Sequence, residues 1–501
     1  MSDNLELGKR TAPNSTLIIK EKPPKTGIVH LGLGNFHRAH LAVYTANAVA
    51  KSGGDWGIYA YSFRNHSLAN ALIKQDLLYS VIDFAPETEA VVIPAIHTAA
   101  VAGIEACDAV ISKIAETSTK IISITVTEAG YSISPNTGGL DLGAQDIQSD
   151  LAGNTPKTLI GLIVRALQLR LTYNGAPITV LSCDNLSQNG DRTKRQVLEF
   201  IKALPANEQE SLLVYLEKSV SFPNSMVDRI VPGTEPRHLL LAQERLGVRD
   251  SSPVPAEPFT MWALEDDFIA GRPAWDEVGA IFTTQVMQFE IMKLRLLNGA
   301  HSLLAYFGAL DNKETIPDSF FQPIIQGALK AALYNEYLPT LVMPDGLSAQ
   351  TYIDQLFSRW SNTVLADKTN RVGSDGSTKL PQRITEPVIE LSSRGQLPEL
   401  LALTVSAWLA CIAPISGFDP GPYANSMKDP ARSKLMGFAA RSSNAAEMVD
   451  LVFSEGNIFA PELGKLSEFK SRIAEYLEII LSGGIELAIT TATSRSKSAV
   501  E

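Results

Sequence analysis

The stretch GIVHLGLGNFHRAH, residues 27–40, decides the fold of the N-terminal half, because an apolar run ends in two closely spaced glycines and a helix-like run follows. Gly32-x-Gly34 lets the backbone approach a pyrophosphate, which the N-terminus of the next helix attracts. His37 stands where the generic fingerprint has its third glycine. The motif therefore predicts a dinucleotide site, and the alternative is a tight strand-to-helix turn without a ligand.

The neighbouring patterns extend this turn into a nucleotide-binding βαβ unit. We expect a strand over 26–31, a helix over 36–50 and a second strand over 57–63. Buried parallel strands are predicted over 120–127 and 178–182. A helix over 157–173, ended by Asn174-Gly175, connects them.

The second half of the chain has a different pattern, with long apolar helical periods and few strand signals. Helices are predicted over 286–307, 350–365, 397–412 and 468–481. The simplest fold class is an α/β Rossmann-like N-terminal domain with a mainly α-helical C-terminal domain. We expect the dinucleotide-binding domain to span residues 1–285 and the substrate and catalytic domain to span 286–501.

Composition narrows the possible partners. The formal net charge of −11 argues against binding to a nucleic-acid backbone. The three cysteines are far apart and there are only seven histidines, so we predict buried free thiols and no metal site. Residues 1–25 lack the apolar core of a signal peptide, and the longest apolar stretch, 400–415, is too short for a bilayer. We expect a cytoplasmic protein without a membrane partner.

The segment from Glu290 to His301, EIMKLRLLNGAH, carries polar side chains in an apolar run. At about 100° per residue, Glu290, Asn298 and His301 share a helix face with Lys293. Burial would lower the pKa of such a lysine and suit it to act as a base. Asn298 can donate to a developing alkoxide. The alternative is an amphipathic surface helix, and Gly299 is a possible interruption.

Eight motifs, in consistent order from residue 27 to about 383, resemble the polyol-specific long-chain dehydrogenases, the family of mannitol 2-dehydrogenase and fructuronate (mannonate) reductase. The motifs are GIVHLGLGNFHRAH (27–40), TVTEAGY (125–131), SCDNLSQNG (182–190), PNSMVDRIVP (223–232), EPFTMWALEDDF (257–268), GRPAWDEVGA (271–280), MKLRLLNGAHS (292–302) and SDGSTKLPQR (374–383). The last hundred residues match only in general helical character.

The resemblance implies a zinc-free hydride exchange with nicotinamide and assigns a role to each matching residue. Lys293 is then the base, Asn185 and Asn298 polarise the carbonyl oxygen, His301 binds substrate, and Glu290 relays protons. The residues expected to line the sugar pocket are Asp228, Arg371 and Lys379. The residues that match the family's cofactor loop are Gly32, Gly34, Phe36, His37 and Arg38. In this family the third glycine of the generic fingerprint is commonly absent. For Asp228 an ion pair with Arg229 is the alternative.

The cofactor and the substrate each leave alternatives open. Arg64 follows the second strand, where an acidic residue normally selects NAD, so NAD is expected but NADP is not excluded. A solvated strand-end arginine is the other interpretation of Arg64.

For the substrate, the motifs favour D-mannitol/D-fructose over D-mannonate/D-fructuronate. A carboxylate wants a nearby guanidinium or ammonium group, which Arg371, Arg383 or Lys379 can supply. A hypothesis of another class is a non-catalytic dinucleotide-binding sensor. A monomer or weak oligomer is expected.

Overall fold

A six-stranded parallel sheet organises the first of the two units into which the chain divides, Met1–Met287 and Gln288–Glu501. The computed structural model describes residues 5–21, 24–84, 89–134, 137–415 and 417–498. Its strands are β1 (Thr26–Leu31), β2 (Gly57–Ser62), β3 (Val81–Phe84), β4 (Glu89–Val92), β5 (His97–Ala102), β6 (Ile121–Ile124), β7 (Ile178–Ser182), β8 (Val220–Ser221), β9 (Ser225–Asp228), β10 (Val254–Ala256), β11 (Met261–Leu264) and β12 (Ile281–Phe282).

The order of the large sheet is β5-β2-β1-β6-β7-β8, and every pairing in it is parallel. Numbered along the chain within this sheet, the order is 3-2-1-4-5-6, the arrangement of dinucleotide-binding folds. The order reverses between β1 and β6, so a crevice opens at the carboxyl ends of these two strands. Two smaller three-stranded sheets, β10-β3-β4 and β12-β11-β9, complete the unit.

Burial explains why the central strands are continuous apolar runs. Every residue of β6 and β7 is buried, as is all of β1 except its first residue, because helices cover both faces of the sheet. The α-helices of this unit span Asn35–Ala39, Leu41–Ser52, His66–Lys74, Cys107–Ala115, Gln145–Leu151, Leu159–Tyr173, Asn189–Ala203, Ala206–Ser219 and Pro236–Leu246. Short 3-10 turns span Ile104–Ala106, Glu128–Tyr131 and Trp275–Val278.

The second unit is mainly helical. From residue 286 on, the α-helices span Val286–Met292, Ala300–Leu310, Ile316–Phe320, Pro323–Ala331, Ala349–Trp360, Thr369–Gly373, Gly376–Ser393, Glu399–Ile412, Pro422–Asn425, Arg432–Arg441, Ala445–Ser454, Pro461–Gly464 and Ser467–Ser498. The last of these is kinked at Gly484, where φ is +81° and the backbone is not helical. Two π-helical segments, Lys293–Gly299 and Ala332–Tyr337, and a 3-10 turn, Leu338–Thr340, lie among them. The helix Glu399–Ile412 is buried along its whole length and forms the centre of this unit.

The predicted fold class, an α/β Rossmann-like domain followed by a mainly α-helical one, is confirmed. The helix expected over 350–365 ends at Trp360, and the helical element expected over 468–481 continues to Ser498. Three further predicted elements need correction. The expected helix over 36–50 breaks at His40, where φ is −113° and ψ is −88°. The strand expected over 120–127 ends at Ile124, because the Val126 amide leaves the ladder to bond the Asp184 carboxylate. The helix expected over 286–307 changes to π geometry over 293–299.

Candidate active site

Gly32 directly follows β1 at the point where the strand order reverses. Its φ is +113°, and a Cβ built on it would overlap the carbonyl oxygen of Thr125, which follows β6, and lie 2.7 Å from that carbonyl's carbon. Its amide and that of Leu33 both donate to the Tyr61 carbonyl at 2.9 Å. Only glycine therefore lets the chains after β1 and β6 approach this closely.

Gly34 lies two residues further on, and its surroundings are open. Among the described residues other than its two chain neighbours, a Cβ built there would have one atom within 4 Å, the Gly32 carbonyl oxygen at 3.7 Å. The backbone at this point is thus accessible to a ligand in the crevice. This open glycine, at the carboxyl edge of a 3-2-1-4-5-6 sheet, fits the pyrophosphate of a dinucleotide.

His37 and Arg38, two predicted cofactor-loop residues, have side chains that face the interior of the unit. Arg38 is 2% exposed and donates to the Ser252 carbonyl and to Asn35 Oδ1. His37 is fully buried. Only the backbone groups of these two residues are therefore placed to contact a cofactor. Their buried side chains stabilise the loop from the interior of the unit. Phe36 is partly buried, and its ring stacks on that of His40 with centroids 5.0 Å apart.

Three buried histidines form a cluster next to the glycine turn. The rings of His30 and His37 stack with centroids 3.4 Å apart, and His37 Nε2 lies 3.0 Å from His97 Nε2. His30 Nε2 is 3.2 Å from the Gly32 carbonyl oxygen. Burial lowers the pKa of His30 and of His97 to about 3, so both rings are neutral near physiological pH. The sequence showed these histidines but not their contact.

Arg64 lies two residues after β2 and is exposed, which fits both a place near the ribose of a dinucleotide and the alternative of a solvated strand-end arginine. Its neighbour Asn65 has a local role, because its side-chain oxygen accepts from the Leu68 amide and caps the helix that follows.

Asn185 follows Asp184 at the carboxyl end of β7, the same edge of the sheet as the glycine turn. The Asp184 carboxylate accepts from the Val126 amide at 2.8 Å and from the Tyr131 hydroxyl at 2.6 Å. Burial raises the pKa of Asp184 to about 7. Asp184 thus ties the ends of β6 and β7 together and fixes the loop that carries Asn185. Sequence reasoning missed it.

Asp228 is buried at the end of β9. The alternative of an Asp228–Arg229 ion pair is wrong, because the Arg229 guanidinium binds the Asp83 carboxylate and the Glu257 carbonyl instead. The role of Asp228 toward a substrate stays a prediction.

The remaining predicted catalytic residues belong to the second unit. Lys293 begins the π-helical segment Lys293–Gly299, which we call the lysine segment, and it is 8% exposed. Asn298 lies in the same segment, while His301 follows in the helix Ala300–Leu310. Glu290 precedes it in the helix Val286–Met292.

The expected spacing of 100° per residue does not apply inside the lysine segment. Hydrogen bonds in a π-helix run between residues five apart, so each turn holds about one residue more than an α-helical turn. Lys293 and Asn298 are five residues apart, which places them about one π turn from each other on the same side.

Gly299, the last residue of the lysine segment, adjoins the second π-helical segment. A Cβ on Gly299 would overlap the Tyr337 hydroxyl and lie 2.5 Å from Tyr337 Cζ. Tyr337 is 1% exposed, so its ring has little room to withdraw. The absence of a side chain at residue 299 therefore allows the two π segments to pack together.

The predicted sugar-pocket residues of this unit differ in their charge environment. Arg371 is exposed and forms a bidentate pair with the Asp367 carboxylate. Lys379 is partly buried and donates to the Ser374 carbonyl at 2.7 Å. Burial lowers the pKa of Lys379 to about 8, and the nearby Arg383 adds to this effect.

In the part of the chain that the structure describes, no group of three His, Cys, Asp or Glu side chains is arranged to hold a metal ion. Within the same residues, no helix is long and apolar enough to cross a bilayer.

Comparison with known proteins identifies the family. Residues 26–277 match the mannitol dehydrogenase Rossmann domain, and residues 285–481 match the mannitol dehydrogenase C-terminal domain. The chain belongs to the mannitol dehydrogenase family. The predicted resemblance to this family is confirmed.

Relatives and solved structures of the mannitol dehydrogenase family match the chain over most of its length. The D-mannonate oxidoreductase of Escherichia coli (strain K12) is 38% identical over 465 residues, 92% of this chain and 94% of that protein. A mannitol 2-dehydrogenase of Pyrenophora tritici-repentis is 34% identical, over 91% of this chain and 79% of that protein. The structure of Pseudomonas fluorescens mannitol 2-dehydrogenase in a ternary complex with NAD and D-mannitol has a TM-score of 0.85 at 30% identity, covering 99% of this chain and 100% of that one.

Proposed function

We propose that the chain is an NAD-dependent dehydrogenase that interconverts a secondary alcohol of a six-carbon sugar alcohol or aldonate with the corresponding keto group. The observation that carries this proposal is the likeness, over 99% of the chain, to a mannitol 2-dehydrogenase solved with NAD and D-mannitol. The open backbone at Gly34, at the switch point of the sheet, supports a dinucleotide in the first unit.

NAD, when bound, supplies the hydride acceptor for oxidation of the alcohol. The residues expected to hold it are Gly32 and Gly34, with backbone contributions from Phe36, His37 and Arg38. No acidic residue follows β2 where one would select NAD, and the exposed Arg64 is compatible with a 2′-phosphate. The likeness to a mannitol 2-dehydrogenase solved with NAD supports NAD as the cofactor, and we expect NADP to be accepted to an extent that Arg64 sets.

Lys293 is the proposed general base. In the oxidation direction its amine takes the proton of the substrate hydroxyl, and in reduction it returns that proton to the oxygen. Its burial supports this role, because a base that is only 8% exposed is shielded from bulk water. Glu290, one turn before, is the proposed proton relay.

Asn185 and Asn298 are the proposed donors to the oxygen that becomes charged, and His301 is proposed to hold a substrate hydroxyl. Amide donors fixed in place stabilise a developing alkoxide without a metal ion. We therefore propose a metal-independent reaction. Asp184 and Gly299 support it indirectly, because each fixes the backbone next to one of the two asparagines.

Two substrate pairs are candidates. D-Mannitol/D-fructose is favoured by the motifs and is the chemistry named for several relatives. D-Mannonate/D-fructuronate is the second, because a D-mannonate oxidoreductase is 38% identical over nearly the whole chain. The two differ at one end of the molecule, where a hydroxymethyl group replaces a carboxylate.

The test is a coupled set of absorbance assays on the purified protein. NADH consumption is followed with D-fructose and with D-fructuronate, and each is repeated with NADPH and after chelator treatment. We expect turnover of at least one ketose, unchanged by the chelator. NADH binding without turnover of either ketose would instead favour a non-catalytic sensor, and activity lost to chelator and restored by zinc would refute the metal-free reaction.

A further inference from the structure

Three cationic side chains, those of Arg371, Lys379 and Arg383, lie before or in the first half of the helix Gly376–Ser393, and they differ in whether an acidic group lies close to them. Arg371 already has one: its Nε lies 2.7 Å from Asp367 Oδ1, and its Nη2 binds the second oxygen of the same carboxylate. This bidentate pair neutralises the guanidinium, and the side chain is 55% exposed. Arg371 is therefore poorly placed to recognise another anion.

Lys379 is partly compensated. Its amine donates to the Ser374 carbonyl at 2.7 Å and lies 3.8 Å from the Asp375 carboxylate, a separation longer than a hydrogen bond. Two of the three cations thus have an acidic neighbour within ion-pair range.

Arg383 has none among the described residues. It lies one helical turn after Lys379 and is partly buried, and its Nη1 donates to the Ser302 hydroxyl at 2.8 Å. The other ionisable groups that interact electrostatically with Arg383 are the phenols of Tyr306 and Tyr337. Both phenols are neutral near physiological pH, because burial raises the pKa of each. A guanidinium withdrawn from water without an anion is costly, and it stays charged at any ordinary pH.

The guanidinium lies close to the proposed catalytic residues of the same unit. Its partner Ser302 directly follows His301 in the helix that continues the lysine segment. Tyr337, which interacts electrostatically with Arg383, also packs on Gly299 at the end of that segment. An uncompensated positive charge thus adjoins the segment that carries Lys293 and Asn298.

We propose that Arg383, assisted by Lys379, binds a carboxylate of the substrate, so that the chain acts on a hexonate and its keto counterpart in preference to a neutral polyol. This inference rests on the proposed function and selects between its two substrate pairs. A planar guanidinium presents paired N–H donors that match the two oxygens of a carboxylate. A hydroxymethyl group offers no charge, so a bound neutral polyol would leave Arg383 uncompensated and more deeply desolvated.

The experiment compares D-fructuronate with D-fructose as substrates, at saturating NADH, for the wild type and three variants. R383Q removes the charge, and R383K keeps the charge but loses the paired donors. R394Q is the matched control, because Arg394 caps the same helix, is exposed and already pairs with Glu390. Thermal unfolding and NADH binding report whether each variant is folded.

We expect the wild type to have the higher kcat/KM with D-fructuronate. R383Q should lower kcat/KM for D-fructuronate by about 10- to 100-fold, mainly through KM, because a hydrogen bond between two charged groups contributes that much binding energy. The same variant should change kcat/KM for D-fructose by less than about threefold, because D-fructose has no carboxylate. R383K should recover part of the loss, and R394Q should change neither substrate. Should R383Q fail to fold, inhibition of the wild type by D-gluconate and by D-glucitol decides the question, and the carboxylate should bind at least about tenfold more tightly.

Two outcomes overturn the inference separately from the proposed function. A wild type that reduces D-fructose more efficiently than D-fructuronate, or an R383Q variant that loses both activities equally, refutes the carboxylate subsite and leaves the dehydrogenase intact. Turnover of neither ketose refutes both proposals. Equal inhibition by gluconate and glucitol counts against the subsite alone.

Discussion

Gly299→Ala should damage both the stability of the second unit and the proposed chemistry, because the added methyl group meets a fixed ring. A Cβ at this residue would overlap the Tyr337 hydroxyl and lie 2.5 Å from Tyr337 Cζ. Ordinary contacts between such atoms are about 3.5–4 Å, so the ring or the lysine segment has to move by about 1 Å. Tyr337 is buried, so we expect part of the displacement to fall on the segment that carries Lys293 and Asn298.

The magnitude follows from two opposing terms. Overpacking of a filled interior typically costs about 1–3 kcal/mol, while replacing a helical glycine by alanine returns up to about 1 kcal/mol. We expect a net loss of about 1–2 kcal/mol, or a fall in Tm of about 2–8 °C for a unit of this size. A misplacement of about 1 Å at a catalytic group lowers kcat by about 100-fold.

The assay combines urea unfolding with turnover of the better ketose. Gly327→Ala is the control, since Gly327 lies on the exposed face of the helix Pro323–Ala331 and its added Cβ would meet no atom of another described part of the chain within 4 Å. This substitution should be neutral or slightly stabilising. A Tyr337→Ala background should remove most of the cost of Gly299→Ala. If Gly299→Ala were as stable and as active as Gly327→Ala, the packing of the two π segments would not be what positions Lys293.

Further predictions concern the base, the cofactor turn and the buried histidines. Lys293→Ala should lower kcat by about 10²- to 10⁴-fold while NADH binding, followed by fluorescence, persists; near-wild-type turnover would make the lysine structural. Gly32→Ala should abolish NADH binding, because its Cβ meets the Thr125 backbone, and calorimetric titration with an unchanged affinity would contradict this. The free energy of unfolding should fall as pH drops from about 6.5 toward about 3, because His30 and His97 are protonated in the unfolded chain but stay neutral when buried. In urea titrations at several pH values, His97→Asn should reduce the slope of the unfolding free energy against pH. Arg64→Glu should raise the ratio of NADH to NADPH turnover, and an unmoved ratio would place the 2′-phosphate elsewhere.

Local patterns in the sequence predicted most of the first unit, because its strands are short apolar runs that end in glycine or polar turns. The strand over 178–182 matches its observed bounds, and the helix expected over 157–173 is found from Leu159 to Tyr173. Errors arose where a distant side chain replaced a backbone partner. Asp184 ends β6 by capturing the Val126 amide, and no pattern within β6 shows that.

The sequence allowed us to predict which residues form the candidate site, but not which groups surround each of them. Lys293 and Arg383 were both visible in the sequence. The segment that begins at Lys293, however, ends at Gly299 against the ring of Tyr337, which lies 38 residues further along the chain. Arg371 and Arg383 look alike as letters. Only the fold shows that Asp367 neutralises one and that a serine hydroxyl is the partner of the other.

The π geometry of residues 293–299 also bears on how this segment tolerates changes in length. Because it holds about one residue more per turn than an α-helix, deletion of a single residue can be absorbed by relaxation to α-helical bonding, without breaking the rod. Because the π geometry accommodates about one extra residue per turn, that relaxation leaves the helices on either side of the deletion in nearly their original orientation, whereas a deletion inside an α-helix would turn one against the other by about 100°. A shortened chain would therefore fold normally and keep Lys293 and His301 close to their present directions, so loss of one residue here is a change that a descendant protein can accept while it keeps both its architecture and the proposed chemistry.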